Sequence, residues 1–201
     1  MDICGPMPVE SGDSRYILLI VDDYSGMYFT YFLKNKSETL SVFQIFSEKC
    51  ENVLGKNIKC IRTDNGTEFC NNKFREFTNI KGIEHQKTVP YNPESNGKVE
   101  RGNRIMSERA RTLLHESGLL LSFWAEAVAY VAHTANLTPR KNKSKTPYEI
   151  WNGKVPNISY LRTFGCIAYY HVPKILRNKL QPRKESDNIR IFAGACRVSS
   201  I

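Results

Sequence analysis

Three acids stand where carboxylates could carry phosphoryl-transfer chemistry. Asp64 ends the run "IKCIRT" and opens the stretch "DNGTEF". Carboxylates at strand ends line the crevice of open α/β sheets, so Asp64 is placed to hold a metal. Glu100 falls on the first turns of a long helical pattern that follows "VPYNPESNG". Asp2, in "MDICGP", is the acid in a strand-like context ahead of the first hairpin. A pair of hard divalent ions about 3.5–4 Å apart needs several carboxylates from different elements. Such a pair activates a water or a 3′-hydroxyl and steadies the leaving oxygen.

Each acid also has a plainer reading. Asn65-Gly66 is a favoured centre for a two-residue β-hairpin, in which Asp64 is a turn aspartate. Glu100 can pair with Arg104 one helical turn on, worth about 0.3–0.5 kcal/mol. Glu68 reads as a surface acid, and Asp22 and Asp23 as turn acids. At about 100° per residue, Val99, Met106, Ala110 and Leu113 form one apolar arc. Glu100 lies on the edge of that arc, and Arg104 and Arg111 share the edge slightly further out. An acid at a core's edge beside cations suits a metal site that faces a polyanion.

The elements that must position these acids follow from pattern. "RYILLIVDDYS" reads as a buried strand running into a turn, and "MYFTYFL" as its hairpin partner through "DDYSG". Leu40, Phe43, Phe46, Cys50 and Val53 recur at helical spacing until Gly55 stops the helix. "IKCIRT" is a strand, "NKFREFTNIKG" a short helix ended by Gly82, and "IEHQKT" another strand. The residues 89–97 read as a loop able to close over a substrate. A long helix then runs to about Gly118. A second helix over 122–137 turns Trp124, Val128, Val131 and Ala135 inward. After Pro139 comes the basic linker "RKNKSK", then a short helix with Thr146 at N-cap, Pro147 at N1 and Glu149 at N3. "FGCIAYYHV" and "IRIFAGA" are strand-like. The order of strands and helices predicts an α/β layer architecture.

Composition narrows the partners. The chain has 201 residues and a net charge of +9. From residue 98 to residue 184, sixteen Lys and Arg stand against five Asp and Glu, whereas the remainder holds thirteen against fifteen. A basic back half suggests a polyanion partner. No apolar run approaches the ~18 residues of a membrane span. The six cysteines form no CxxC pair and the four histidines no HxxxH spacing, so no zinc-finger signature and no disulfide framework are present. Scattered thiols predict a reduced, intracellular chain.

Several ordered blocks resemble one family. "MDICGPMPVESGDSRYILLIVDDYSGMYFTYFLKNKSE", "IRTDNGTEF", "VPYNPESNGKVERGNR", "SFWAEAV" and "TPYEIWNGKVPNISYLRTFGC" are similar to the integrase region of copia-type LTR-retrotransposon Pol polyproteins. The resemblance implies an RNase H-like mixed sheet flanked by helices, followed by a partial SH3-like β unit. It divides the chain into a catalytic core over 1–138, a basic linker with a short helix over 139–162, and a partial β-barrel segment over 163–201. It implies a D,D-35-E triad, and thirty-five residues do separate Asp64 from Glu100. The first triad acid falls on Asp2.

By that carry-over Asp2, Asp64 and Glu100 hold Mg²⁺ or Mn²⁺, as two ions, for processing DNA 3′ ends and joining them to target DNA. Asn96, Lys98, Arg101 and Arg104, at or near the start of the triad helix, become candidates for DNA phosphate contacts. The implied partners are element and target DNA and further copies of the chain, with action in the nucleus. The family's His/Cys zinc domain is absent from this sequence and Asp2 lies at its edge, so the chain reads as a truncated copy. A non-catalytic DNA-binding remnant of the same fold is the competing expectation.

Overall fold

The computed structural model describes residues 1–88, 97–141, 143–171 and 184–187. Strands β1 (Asp2–Cys4), β2 (Tyr16–Val21) and β3 (Tyr28–Leu33) form an antiparallel sheet in the order β1-β2-β3. The register sets Asp2 opposite Leu19 and Val21 opposite Tyr28. The expected hairpin turn is closed by Asp22. Its Oδ2 accepts from the Ser25 N–H at 2.7 Å and the Ser25 hydroxyl at 2.6 Å. Asp side chains satisfy nearby backbone donors in this way, which is why they favour turns.

Strands β4 (Cys60–Thr63) and β5 (Glu84–Lys87) pair in parallel, with helix α2 (Asn72–Lys81) crossing between them. The chain after Asn65-Gly66 therefore enters a helix instead of returning as a hairpin strand. The two sheets meet where the Met1 amino group donates to the Arg62 carbonyl at 2.5 Å. Antiparallel and parallel pairs thus coexist, as a mixed-sheet reading requires.

Strand β2 is buried through its middle, and period-2 alternation sends its residues to opposite layers. Leu18 and Ile20 face one core with Phe43 and Phe46 of α1 (Thr39–Leu54) and Phe74 of α2. Ile17 faces the other, with Met106 and Ala110 of α3 (Gly97–Ser117) and Val128 and Val131 of α4 (Trp124–Asn136). Covering both faces explains why "YILLIV" is apolar without alternation. Two details of the helical pattern are corrected. Val53, expected on the apolar stripe, is 69% exposed, because at about 100° per residue the buried stripe of Phe43, Ser47 and Cys50 continues through half-buried Leu54 instead. On α3 the buried position is Leu114, with Leu113 half-buried beside it.

One glycine matters for how closely α3 lies on the sheet. A Cβ on Gly102 would come within 2.9 Å of Leu19 Cδ2 and 3.1 Å of Tyr28 Cε1. Gly102→Ala would gain about 1 kcal/mol of helix propensity. Overpacking against the fully buried Leu19 costs about 1–3 kcal/mol. The expected net result is a destabilised protein, read as a lower urea midpoint with an unchanged slope. A raised midpoint would show that Leu19 gives way freely.

Helix α4 is tied to the sheet by a buried amide. Asn136 Oδ1 accepts from the Tyr28 N–H, and its Nδ2 donates to the Tyr28 carbonyl, both at 2.8 Å. Beyond it the linker leads to α5 (Pro147–Asn152), whose Thr146/Glu149 capping box forms as expected. Trp151 of α5 packs edge-on against Phe29, with ring centroids 5.0 Å apart. Strands β6 (Ala168–His171) and β7 (Lys184–Asp187) pair antiparallel. β6 was expected and β7 was not, since "KESD" has no strand-like composition. The stretch "IRIFAGA", and most of the expected β-barrel segment, lie outside the described residues. No described helix is long and apolar enough to cross a membrane. The five described cysteines are all free.

Candidate active site

The site is built where β1 meets the end of β4, beside the first half of α3. Asp2 is half-buried on β1. Its Oδ1 accepts from the Ile3 N–H at 2.9 Å, and its Oδ2 accepts from Asn103 Nδ2 at 2.7 Å. Burial pushes the Asp2 carboxyl up from its ordinary range. The Asn103 hydrogen bond pulls it back, and the nearby charge of Asp64 pushes it further up. Burial is the largest of these causes, and the like charge of Asp64 adds to it because a nearby anion disfavours a second one. The same negative field acts on the Met1 amino group. Burial lowers it to about 6, against the opposing pull of Asp2 and Asp64.

Asp64 stands half-buried just past β4. The Gly66 N–H donates to Asp64 Oδ1 at 3.1 Å, an aspartate turn that fixes the carboxylate. The Thr63 hydroxyl donates to the Asp64 carbonyl at 2.8 Å and lies 2.8 Å from His85 Nε2 on β5. With the hydroxyl proton so committed, His85 serves as the donor to Thr63. Burial lowers the His85 pKa, with the neighbouring Lys87 charge a further cause, which keeps the ring neutral. Asn65 Nδ2 donates to the Thr88 carbonyl at 2.9 Å and so ties the turn to the end of β5.

Glu100 is placed differently. It lies in the first turn of α3 but is exposed, next to buried Val99, instead of at the core's edge. Gly102, which has no side chain, takes the inner position that the apolar arc did not foresee. Glu100 makes no ion pair with Arg104 or with any other described residue. Among the described residues no group of three His, Cys, Asp or Glu could hold a metal ion. Asp64 is near enough for its charge to act on Asp2, and Glu100 is exposed on the helix that carries Asn103.

Of the candidate DNA contacts, Lys98, Arg101 and Arg104 are exposed on α3. Lys98 pairs with Asp23, whose carboxyl is held below its ordinary range chiefly by that hydrogen bond. Asn96 and the rest of the loop up to residue 96 lie outside the described residues. Glu68 is not a simple surface acid. Its side chain is 8% exposed, folded over Gly66 and paired with Lys36 Nζ at 3.2 Å.

Asn103 is the functional candidate that sequence reasoning missed. It lies three residues after Glu100, and the signal was there: a polar residue beside the inner stripe of α3 has to find a buried partner. Asn103→Leu is expected to remove the donor that steadies Asp2 while keeping the helix. The measurable outcome is weaker divalent-ion binding by calorimetry, with Asn103→Gln restoring part of it. Unchanged ion affinity in the leucine variant would show that Asp2 needs no such support.

Residues 1–93 match the integrase core domain family. Over 184 residues the chain is 39% identical to the retrovirus-related Pol polyprotein from transposon TNT 1-94 of Nicotiana tabacum, covering 90% of this chain and 14% of that protein. It is 31% identical over 180 residues to the corresponding polyprotein from transposon RE2 of Arabidopsis thaliana, covering 89% of this chain and 12% of that one. The chain thus spans only 12–14% of the length of these relatives. Among solved structures, the HTLV-2 integrase catalytic core domain in complex with magnesium, in a trimeric form, is 26% identical with a TM-score of 0.52. It covers 67% of this chain and 83% of that one. A chain of the simian T-cell lymphotropic virus intasome, in complex with PP2A regulatory subunit B56 gamma, shares the fold at 23% identity with a TM-score of 0.58. That match covers 84% of this chain and 59% of the other. Residues 1–93 thus resemble an integrase core domain, and nine tenths of the chain aligns with part of retrovirus-related Pol polyproteins from plant transposons.

Proposed function

We propose that this chain performs the DNA-joining chemistry of an integrase, a metal-dependent polynucleotidyl transfer carried by Asp2, Asp64 and Glu100. The observation that carries the reading is that Asp2 is anchored by Asn103, from the helix that also bears Glu100, while Asp64 is near enough for its charge to be felt at Asp2. Carboxylates held by amide donors, as Asp2 and Asp64 are, are hard oxygen donors of the kind divalent cations take. They fit Mg²⁺ or Mn²⁺, and the magnesium in the HTLV-2 catalytic core supports that choice of ion.

When bound, such ions make a water or 3′-hydroxyl nucleophilic and neutralise charge on the leaving oxygen. The chain's own residues bind and orient. Asn103 and the Ile3 N–H hold the Asp2 carboxylate, and the Gly66 N–H holds that of Asp64. Lys98, Arg101 and Arg104 line up phosphates along α3. Glu100, in the first turn of α3, would supply the third carboxylate. In end processing, water displaces a 3′ oxygen from phosphorus. In joining, the freed 3′-hydroxyl attacks a target phosphodiester, a new P–O bond forms, and the target's own 3′ oxygen leaves with the proton. The intasome and the trimeric catalytic core support an assembly of several copies on DNA.

The exposure of Glu100 favours a second reading, a DNA-binding remnant without catalysis. A strand-transfer assay separates the two. Purified chain is incubated with a labelled 3′-hydroxyl duplex and target DNA, in Mn²⁺ or in chelator. Joined or nicked product that depends on the metal is expected. Product no greater in Mn²⁺ than in chelator would leave the remnant reading standing.

A further inference from the structure

The turn between β2 and β3 and the basic linker meet on one exposed ridge. The Arg140 guanidinium donates to the Gly26 carbonyl and lies 4.8 Å from the centre of the Tyr28 ring. The Lys143 N–H donates to the Arg140 carbonyl at 2.9 Å. Lys143 Nζ then reaches the Tyr24 carbonyl at 3.5 Å. Both acids of this hairpin turn are occupied, Asp22 by Ser25 and Asp23 by Lys98. Lys141, Lys143 and Lys145 stay exposed, and Tyr24 at the tip is 80% exposed. The Lys98–Asp23 pair links the ridge to the start of α3 and so to the carboxylate site.

The Tyr24 ring, 80% exposed, offers a face on which a base can stack. Here it stands beside lysines whose acidic neighbours are already engaged. That combination of cations for phosphates and a ring for a base is how single-stranded nucleic acid is gripped. We propose that this ridge binds an unpaired stretch of DNA next to a duplex, with Tyr24 stacking on a base and Lys141, Lys143 and Lys145 contacting phosphates. The inference rests on DNA being the substrate, but it needs no catalysis.

The test is fluorescence anisotropy with a labelled blunt duplex and with the same duplex carrying a short single-stranded overhang. Tyr24→Ala is expected to weaken overhang binding by about 5- to 100-fold while blunt binding holds, and Tyr24→Phe to bind like wild type. The triple variant Lys141→Ala, Lys143→Ala, Lys145→Ala is expected to weaken both and to lower the salt slope by about 2 to 3. Anisotropy reads binding and strand transfer reads chemistry, so failure of the chemistry and failure of this contact are distinct results. All the replaced ridge side chains are exposed, and circular dichroism checks that the fold survives. Wild-type overhang affinity in Tyr24→Ala, or an equal loss on both DNAs, overturns the stacking contact. An unchanged salt slope in the lysine variant overturns the phosphate contact, and a wild type that binds neither DNA overturns the whole inference.

Discussion

Asp64→Asn is expected to reduce strand transfer to the no-protein level without harming the fold. Asparagine keeps a side-chain oxygen for the Gly66 N–H that now donates to Asp64 Oδ1. What it loses is the charge a divalent ion needs. The same change removes the like charge that pushes up the Asp2 carboxyl. In metal-free buffer the variant should therefore melt no lower than wild type, and slightly higher if the repulsion is felt. Wild type should gain stability as Mn²⁺ is added, because a ligand bound by the folded state alone stabilises by mass action. The variant should not. Thermal melts with and without Mn²⁺ measure both effects, and strand transfer measures the third. A variant that joins DNA as fast as wild type would remove Asp64 from the chemistry.

The largest expected loss of stability is at Phe43. Its side chain is 0% exposed, and its ring lies 5.6 Å from that of Phe74, 5.9 Å from Phe77 and 6.4 Å from Phe46. These rings join α1 and α2 to one face of β2, the strand that separates the two cores. Phe43→Ala is expected to cost about 3–5 kcal/mol, since the packed rings cannot collapse fully into the space left. Domains are stable by only about 5–15 kcal/mol, so this is a large share of the total. Urea unfolding followed by fluorescence should show the midpoint falling by more than about 1 M at a slope of about 1–3 kcal/mol/M. Val53→Ala, on the same helix but facing water, is expected to change stability by at most about 0.5 kcal/mol. Similar midpoints for the two variants would mean that the aromatic cluster is not the core it looks to be.

Local pattern carried most of the architecture. Continuous apolar runs, Gly55 and Gly82 as helix stops, and the Thr146–Glu149 capping box are signals written within a few residues, and each formed in place. The helix after Asn65-Gly66 likewise settled whether that dipeptide starts a hairpin. The misses came where partners lie far apart in sequence. Val53 continues a helical spacing, yet it is exposed while half-buried Leu54 beside it takes the inner position. Glu68 is chemically an ordinary surface acid, and only the approach of Lys36 and Gly66 buries its side chain.

The candidate site divides in the same way. The sequence by itself determined which acids were available, their spacing, and the strand end and helix start on which Asp64 and Glu100 sit. Those are matters of residue type and short-range period. Tertiary structure alone decided that the charge of Asp64 is felt at Asp2, because that depends on β1 settling beside β4. It also decided that Asn103 reaches Asp2, and that Glu100 points to water, because Gly102 lets α3 lie close on Leu19 and Tyr28 and so sets which side of the helix faces the sheet. A helix's rotation about its own axis is fixed by what it packs against, and no spacing of residues along the chain states that in advance.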